Sequence, residues 1–237
     1  MNVKISKGET IKAAYRSALQ VPLSHPLLAV LTTVGLLMVT VVATNGQSRP
    51  WFFMTLLMMV QTLVTVPLQV AGYRYLLKGS ANDHAWSHQT AVFCLFAVLS
   101  GTAFVFILKL RLILGPVASV VQLALYYVYY RLILVLPALA TDAGKSSIRL
   151  SWDATTGRFW FLFVVMAAGT APILLATVFM LMSGQVSVLG SPITPIGSML
   201  QAITAIVSTF LVVGTNSAIY QRLLAAAYRT DDAQRMT

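Results

Sequence analysis

Charge is scarce in this chain. Charged residues make up 9% of the 237 residues, and six of them are acidic, where a soluble domain of this size carries roughly 25% charged residues. The acids Glu9, Asp83, Asp142, Asp153, Asp231 and Asp232 all lie outside the apolar runs. A chain of carboxylates relaying protons through a bilayer, the usual mark of a proton-coupled carrier, is therefore absent. Cysteine occurs once, as Cys94 within an apolar run, so no internal disulfide framework exists and the redox compartment is unread. In that setting Cys94 is a poor nucleophile. His84 and His88 stand four apart near Asp83, a helical spacing that can ligate a metal, but no third strong ligand is near and no metal site is expected. Glycine-rich phosphate loops and zinc-protease motifs are missing as well. No catalytic residue and no cofactor is nominated, and no enzyme is expected. The first 25 residues hold no short apolar core with a small-residue cleavage site, so no cleavable signal peptide is expected either.

What the chain has instead is apolar length. Hydrophobic residues make up 58% and the mean hydropathy is +0.81. The apolar residues fall in runs of about 20, enough to cross a hydrocarbon core of ~30 Å as helix. The fold class expected is all-α: a polytopic membrane protein with six transmembrane helices. The spans are expected near 27–44, 53–77, 89–108, 117–140, 159–182 and 198–226. Residues 10–20 read as a short amphipathic helix, with Ile11, Ala14, Tyr15, Ala18 and Leu19 on one side and Lys12 and Arg16 on the other, a pattern suited to the headgroup layer. Pro26 opens the first span, with His25 as the residue of helix approach. Pro67, Pro137 and Pro172 interrupt later ones. Trp51 and Phe52 stand where an aromatic belt would place them.

Lysine and arginine divide unevenly between the two sides of these spans. Lys4, Lys7, Lys12, Arg16, Arg74, Lys78, Lys145, Arg149, Arg158, Arg222, Arg229 and Arg235 fall on one side, against Arg49, Lys109 and Arg111 on the other. The positive-inside rule then places both termini in the cytoplasm. The net charge of +10 follows from that bias and from attraction to anionic lipid, worth ~1 kcal/mol per basic residue near the surface. Nucleic acid is not an expected partner.

A pattern recurs three times in parallel orientation, with approximate units 8–78, 79–140 and 141–228 in one membrane domain. Ile11-Lys12-Ala13-Ala14-Tyr15-Arg16 matches Ile148-Arg149-Leu150-Ser151-Trp152-Asp153 in character, and Asn82–Ser87 keeps only the small–aromatic pair Ala85-Trp86. The inward spans end on Tyr73-Arg74, Tyr130-Arg131 and Tyr220-Gln221-Arg222, each ahead of leucines. Each unit thus reads as an interfacial helix, a span out, a span back and a Tyr/Arg marker. Membrane interfaces collect the same residues without any repeat. Gly35, Gly101, Ala167, Ala168 and Gly169 are small enough to let helices approach closely.

Arg131 is the marker arginine that reads as buried. It lies about nine residues before the end of its span, ~14 Å along a regular helix, or near the surface if Pro137 ends the helix early. Gln122, Tyr126, Tyr127 and Asp142 are its nearest candidate partners.

Around it, Arg131-Leu132, Pro137-Ala138, Asp142, Ser147, Ser151-Trp152 and Gly157-Arg158-Phe159-Trp160 form a distinctive series. It resembles a bacterial family of six-span proteins that includes the membrane domain of glycerophosphoryl diester phosphodiesterase and the YciC-like proteins, with their R-L-x-x-x-x-P-A, acidic-glycine loop, S-W and G-R-x-W. The resemblance implies a bacterial cytoplasmic (inner) membrane protein. The family's phosphodiesterase activity belongs to a separate soluble domain that nothing here matches, so no catalytic residue carries over.

Two functional expectations follow. The first is a non-enzymatic membrane protein binding anionic lipids, a partner protein or a second copy of itself through Arg16, Arg74, Arg131, Arg149, Trp152, Arg158 and Arg222. The alternative is a transporter, a channel or a membrane subunit of one, with a polar pathway through Gln61, Gln122 and Asn216. Side chains of this kind inside spans more often hydrogen-bond neighbouring helices.

Overall fold

The computed structural model describes residues 6–44, 51–79, 88–141, 147–185 and 194–235, and every regular element among them is helical. The helices are α1 (Lys7–Ser24), α2 (Pro26–Thr44), α3 (Trp51–Lys78), α4 (His88–Leu114), α5 (Pro116–Arg131), α6 (Val135–Ala140), α7 (Ser147–Thr155), α8 (Phe159–Met182) and α9 (Pro195–Arg235). Among the described residues, five stretches are long and apolar enough to cross a membrane: Pro26–Ala43, Thr55–Lys78, Ser119–Ala140, Phe159–Met182 and Pro195–Leu223. The third expected span lies on α4, whose apolar stretch among the described residues is the shorter His88–Ser100. Leu27, Leu31 and Met38 on α2 stand exposed on the outside of the bundle, as do Leu123 on α5 and Leu175 and Phe179 on α8. Apolar outer faces of this extent suit hydrocarbon and not water. The fold is that of a multi-pass membrane protein.

Local chemistry sets the element ends. Ser6 caps α1, its Oγ accepting from the Glu9 amide at 3.4 Å, a Ser-x-x-Glu start of the capping-box type. The helix stops at His25, held in a non-helical conformation as a residue before proline tends to be. Pro26 then opens α2, where its missing N–H costs nothing.

The centre of the bundle is α9, which packs along α1, α2, α3 and α8. One core cluster joins Val21, Leu36, Leu68, Tyr73, Phe93, Leu136, Ile206 and Val213. A second joins Ile133, Leu134, Leu162, Met166, Ile219 and Leu223. The α1–α9 seam is the tightest. A Cβ added at Gly214 would fall 2.5 Å from the Ala14 carbonyl oxygen and the Ala18 nitrogen. Glu9 lies beside Arg222, Ala14 and Ala18 lie beside Gly214, and Val21 and Val213 both touch Gly72. The two helices therefore run antiparallel.

This seam corrects the expected apolar face of α1. Thr10, Ala14, Ala18 and Val21 are the buried residues, whereas Leu19 is 69% exposed. Contact between backbones selects the smallest side chains, so the alanines turn inward and the leucine is left outside. Of the small residues nominated for close approach, Gly35 faces Val64 on α3 and Gly169 faces Thr215 on α9. Gly101 falls outside the residues whose surroundings are described.

The three internal prolines behave differently. Pro67 and Pro172 stay within α3 and α8. At Pro137 the helix gives way: α5 ends at Arg131, a turn covers 132–134, and α6 begins at Val135. A proline ring clashes with the carbonyl four residues before it, here that of Ile133, inside the turn. In α8 the same rule frees the carbonyl of Ala168, four residues before Pro172, and the Tyr15 hydroxyl donates to it at 2.6 Å. A proline defect in one helix thus becomes a tether to another.

Candidate functional site

The helix break at 132–134 creates the most elaborate polar arrangement among the described residues. Interrupting the ladder frees the Arg131 carbonyl and the Leu134 amide. Ser151 of α7 serves both: its Oγ donates to the Arg131 carbonyl at 2.6 Å and accepts from the Leu134 amide at 3.3 Å. Ser151 is fully buried, so the α5–α6 turn is fastened to α7.

That fastening fixes the Arg131 side chain. Its guanidinium carbon lies 4.8 Å from the Trp152 ring centre and 5.4 Å from that of Tyr127, within cation–π range. Nε donates to the Tyr127 hydroxyl at 3.2 Å. Nη1 donates to Thr156 Oγ1 at 2.8 Å, to the Trp152 carbonyl at 3.1 Å and to Thr155 Oγ1 at 3.5 Å. No carboxylate pairs with Arg131 among the described residues; Asp153, the acid on α7, lies 3.8 Å from Arg149. Of the partners expected from sequence, Tyr127 is one. Gln122 instead contacts Tyr126 at 3.4 Å within its own helix, and Asp142 lies outside the described residues.

Arg131 is half-buried, not buried. Early termination of α5 brings it toward the surface, which corrects the reading that it is the buried marker arginine. The buried one is Arg74, 4% exposed. Its Nε donates to the Ala140 carbonyl at 2.8 Å and its Nη2 to Thr90 Oγ1 at 3.3 Å. It thereby caps the C-terminus of α6, where a cation also meets the negative end of the helix dipole, and ties α3 to α4 and α6.

The other nominated residues surround this region. Arg149 is exposed, and so are Arg16 and Arg222. Arg222 contacts Glu9 at 3.5 Å. Arg158 is half-buried at the N-cap of α8 and makes no capping bond. Trp152 is 40% exposed and Trp160 70%; Phe159 links Trp160 to Tyr127 and Tyr130 through ring contacts of 5.7–5.9 Å, and Trp152 meets Tyr127 at 6.5 Å. Two of the Tyr/Arg markers, Tyr130 and Tyr220, pack together, and Leu77, three residues after Arg74, packs against the same cluster. Leu77, Tyr130, Ile133, Tyr220 and Leu223 share a core cluster, and the Gln221 amide donates to the Leu76 carbonyl at 3.0 Å.

The polar residues nominated for a pathway are not joined to one another. Gln61 is half-buried on α3 and Gln122 half-buried on α5, while Asn216 is fully buried. Asn216 Nδ2 donates to the Tyr73 hydroxyl at 3.0 Å, a helix–helix bond. No hydrogen bond among the described residues connects these three side chains. His84 falls outside the described residues, and no cluster of three metal-ligating side chains occurs among those described.

Sequence reasoning missed Thr155, Thr156 and the tether from Tyr15. A signal for the last was present: a proline inside a span always leaves the carbonyl four residues earlier in need of a donor.

Compared with protein-family models, curated proteins and solved structures, the chain matches none.

Proposed function

We propose that this is a non-enzymatic, six-span protein of the bacterial cytoplasmic membrane that binds anionic lipid at a basic end facing the cytoplasm. In this reading α4 crosses the membrane as the third span, the spans pair as three hairpins in parallel orientation, and both termini are cytoplasmic. The positive-inside distribution and the resemblance around Arg131–Trp160 support it.

One observation carries the lipid reading. The marker ends of α3, α5 and α9 converge with α7 and the start of α8, and exposed Arg149, Trp152 and Trp160 sit there together. Arginine beside half-exposed tryptophan suits the headgroup layer: the ring sits at the apolar boundary and the cation reaches phosphate. A pathway through Gln61, Gln122 and Asn216 has no comparable support.

The test is lipid selectivity in bilayers. Brominated phosphatidylglycerol should quench the tryptophan emission more effectively than brominated phosphatidylcholine. Replacing Arg16, Arg149 and Arg158 together by glutamine should remove most of that preference, about 3 kcal/mol at ~1 kcal/mol per basic residue. An unchanged preference would sink the lipid reading.

A further inference from the structure

We infer that Arg131 forms a discrete binding site for the phosphate of an anionic phospholipid, built by Tyr127, Trp152 and Thr156. This rests on the lipid reading above and names the site within it.

Three features of the arginine point to an anion. First, it is pre-positioned. Its backbone is held by Ser151, its ring contacts are Trp152 and Tyr127, and Nε and Nη1 are occupied by Tyr127, Trp152, Thr155 and Thr156. Most of the side-chain entropy that binding would cost is already lost on folding. Second, its charge has no counter-ion among the described residues, where its partners are neutral hydroxyls, a carbonyl and rings. Third, Nη2 has no protein acceptor among the described residues while the residue is half-exposed. The two N–H groups of Nη2 are left as charged donors to an incoming oxyanion, and charge-assisted bonds from arginine to phosphate are among the strong ones.

The surroundings select a lipid. Trp152 and Tyr127 are each about 40% exposed beside the guanidinium, and Trp160 and Phe163 continue the aromatic surface at a ring distance of 5.9 Å. Free phosphate would gain nothing from that apolar wall, whereas acyl chains and glycerol would lie along it. Thr156 carries two roles, accepting from Nη1 at 2.8 Å and donating to the Trp152 carbonyl at 2.8 Å, so it locks the arginine to the aromatic ring. Arg158 follows two residues later across Gly157, whose φ of +71° makes the turn into α8.

The test uses the full chain in detergent, titrated with short-chain phosphatidylglycerol, short-chain phosphatidylcholine and inorganic phosphate. Arg131→Gln should weaken phosphatidylglycerol binding about tenfold, the scale of a lost charge-assisted pair of hydrogen bonds. Arg131→Lys should recover only part of it, since it keeps the charge without the planar guanidinium that Tyr127, Trp152 and Thr156 hold in place. Lys12→Gln, exposed on α1, should change binding by less than twofold. Thr156→Val removes an exposed hydroxyl and should weaken binding a few-fold, so it reports on the site even if Arg131→Gln fails to fold. Unchanged binding in Arg131→Gln or in Thr156→Val would overturn the site. Equal small losses in Arg131→Gln, Arg149→Gln and Arg16→Gln would overturn it too, but leave the general attraction of the basic end intact. No preference for phosphatidylglycerol in the wild-type chain would overturn both. Inorganic phosphate binding as tightly as the lipid would identify a free-anion site and refute the lipid assignment.

Discussion

Gly214 offers the sharpest test of the packing. Its replacement by alanine would place a methyl group 2.5 Å from the Ala14 carbonyl oxygen and the Ala18 nitrogen, and 2.9 Å from the Ala18 Cα. Ordinary contact begins near 3.4 Å, so α1 and α9 must part by roughly 1 Å. All three opposing atoms are backbone and cannot rotate away. A gap of that size forfeits a quarter to a half of the dispersion energy of the contacts it opens, along a seam holding Thr10, Ala14, Ala18 and Val21. Overpacking of this kind costs ~1–3 kcal/mol, while alanine's better helix propensity returns ~1 kcal/mol. The difference is a net loss of ~0–2 kcal/mol, and the upper end is expected here because the opposing atoms are backbone. Two other glycines calibrate it. Gly35 meets only the Val64 side chain at 2.8 Å, and Gly8 meets nothing within 4 Å. Thermal unfolding of the detergent-solubilised protein should rank Gly8→Ala at or above wild type, Gly35→Ala slightly below, and Gly214→Ala lowest. If Gly214→Ala unfolds at the same temperature as Gly8→Ala, the close α1–α9 approach is wrong.

Two further substitutions probe the helix break and the buried cation. Ser151→Ala leaves the buried Leu134 amide without its partner and the Arg131 carbonyl with only the longer bond from Thr155 Oγ1 at 3.4 Å; at ~1–3 kcal/mol for an orphaned group, a loss of about 2 kcal/mol in unfolding free energy is expected, with faster hydrogen exchange confined to 131–135. Arg74→Met leaves the Ala140 carbonyl and Thr90 hydroxyl without their arginine and should cost ~2–4 kcal/mol. Arg74→Lys should not restore the unfolding temperature, because one ammonium cannot span both partners; full restoration would refute the bridging role.

Much of the architecture could be read from sequence because it depends on local chemistry. Apolar run length marked the helices, Pro26 marked a helix start, and Pro137 marked a break whose effect follows from ring geometry. Other features depend on residues far apart in the chain, and no local pattern encodes them. Arg74 and Arg131 carry the same Tyr-Arg signature, yet one is buried because Ala140 is 66 residues away in sequence and close in space, while the other is held near the surface by α7. The bond from Asn216 to Tyr73 spans 143 residues, and that from Tyr15 to Ala168 spans 153. At the candidate site, Arg131, Trp152 and Tyr127 stood out by residue type. Thr155 and Thr156 did not, since threonine in a helix commonly bonds its own backbone and only the fold turns these two toward a guanidinium.

The central place of α9 has a consequence for biogenesis. A ribosome releases α1 through α8 before α9, so the alanine stripe of α1 and the hydroxyl of Tyr73 spend synthesis without the surface that will cover them. Contacts separated by this much sequence are slow to form. The early helices must therefore wait in the membrane as a loose assembly, with polar groups facing lipid or the insertion machinery. Arrival of α9 then closes the bundle in a single late step. Misassembly would be most frequent in that interval, and a quality-control protease would find its substrate there.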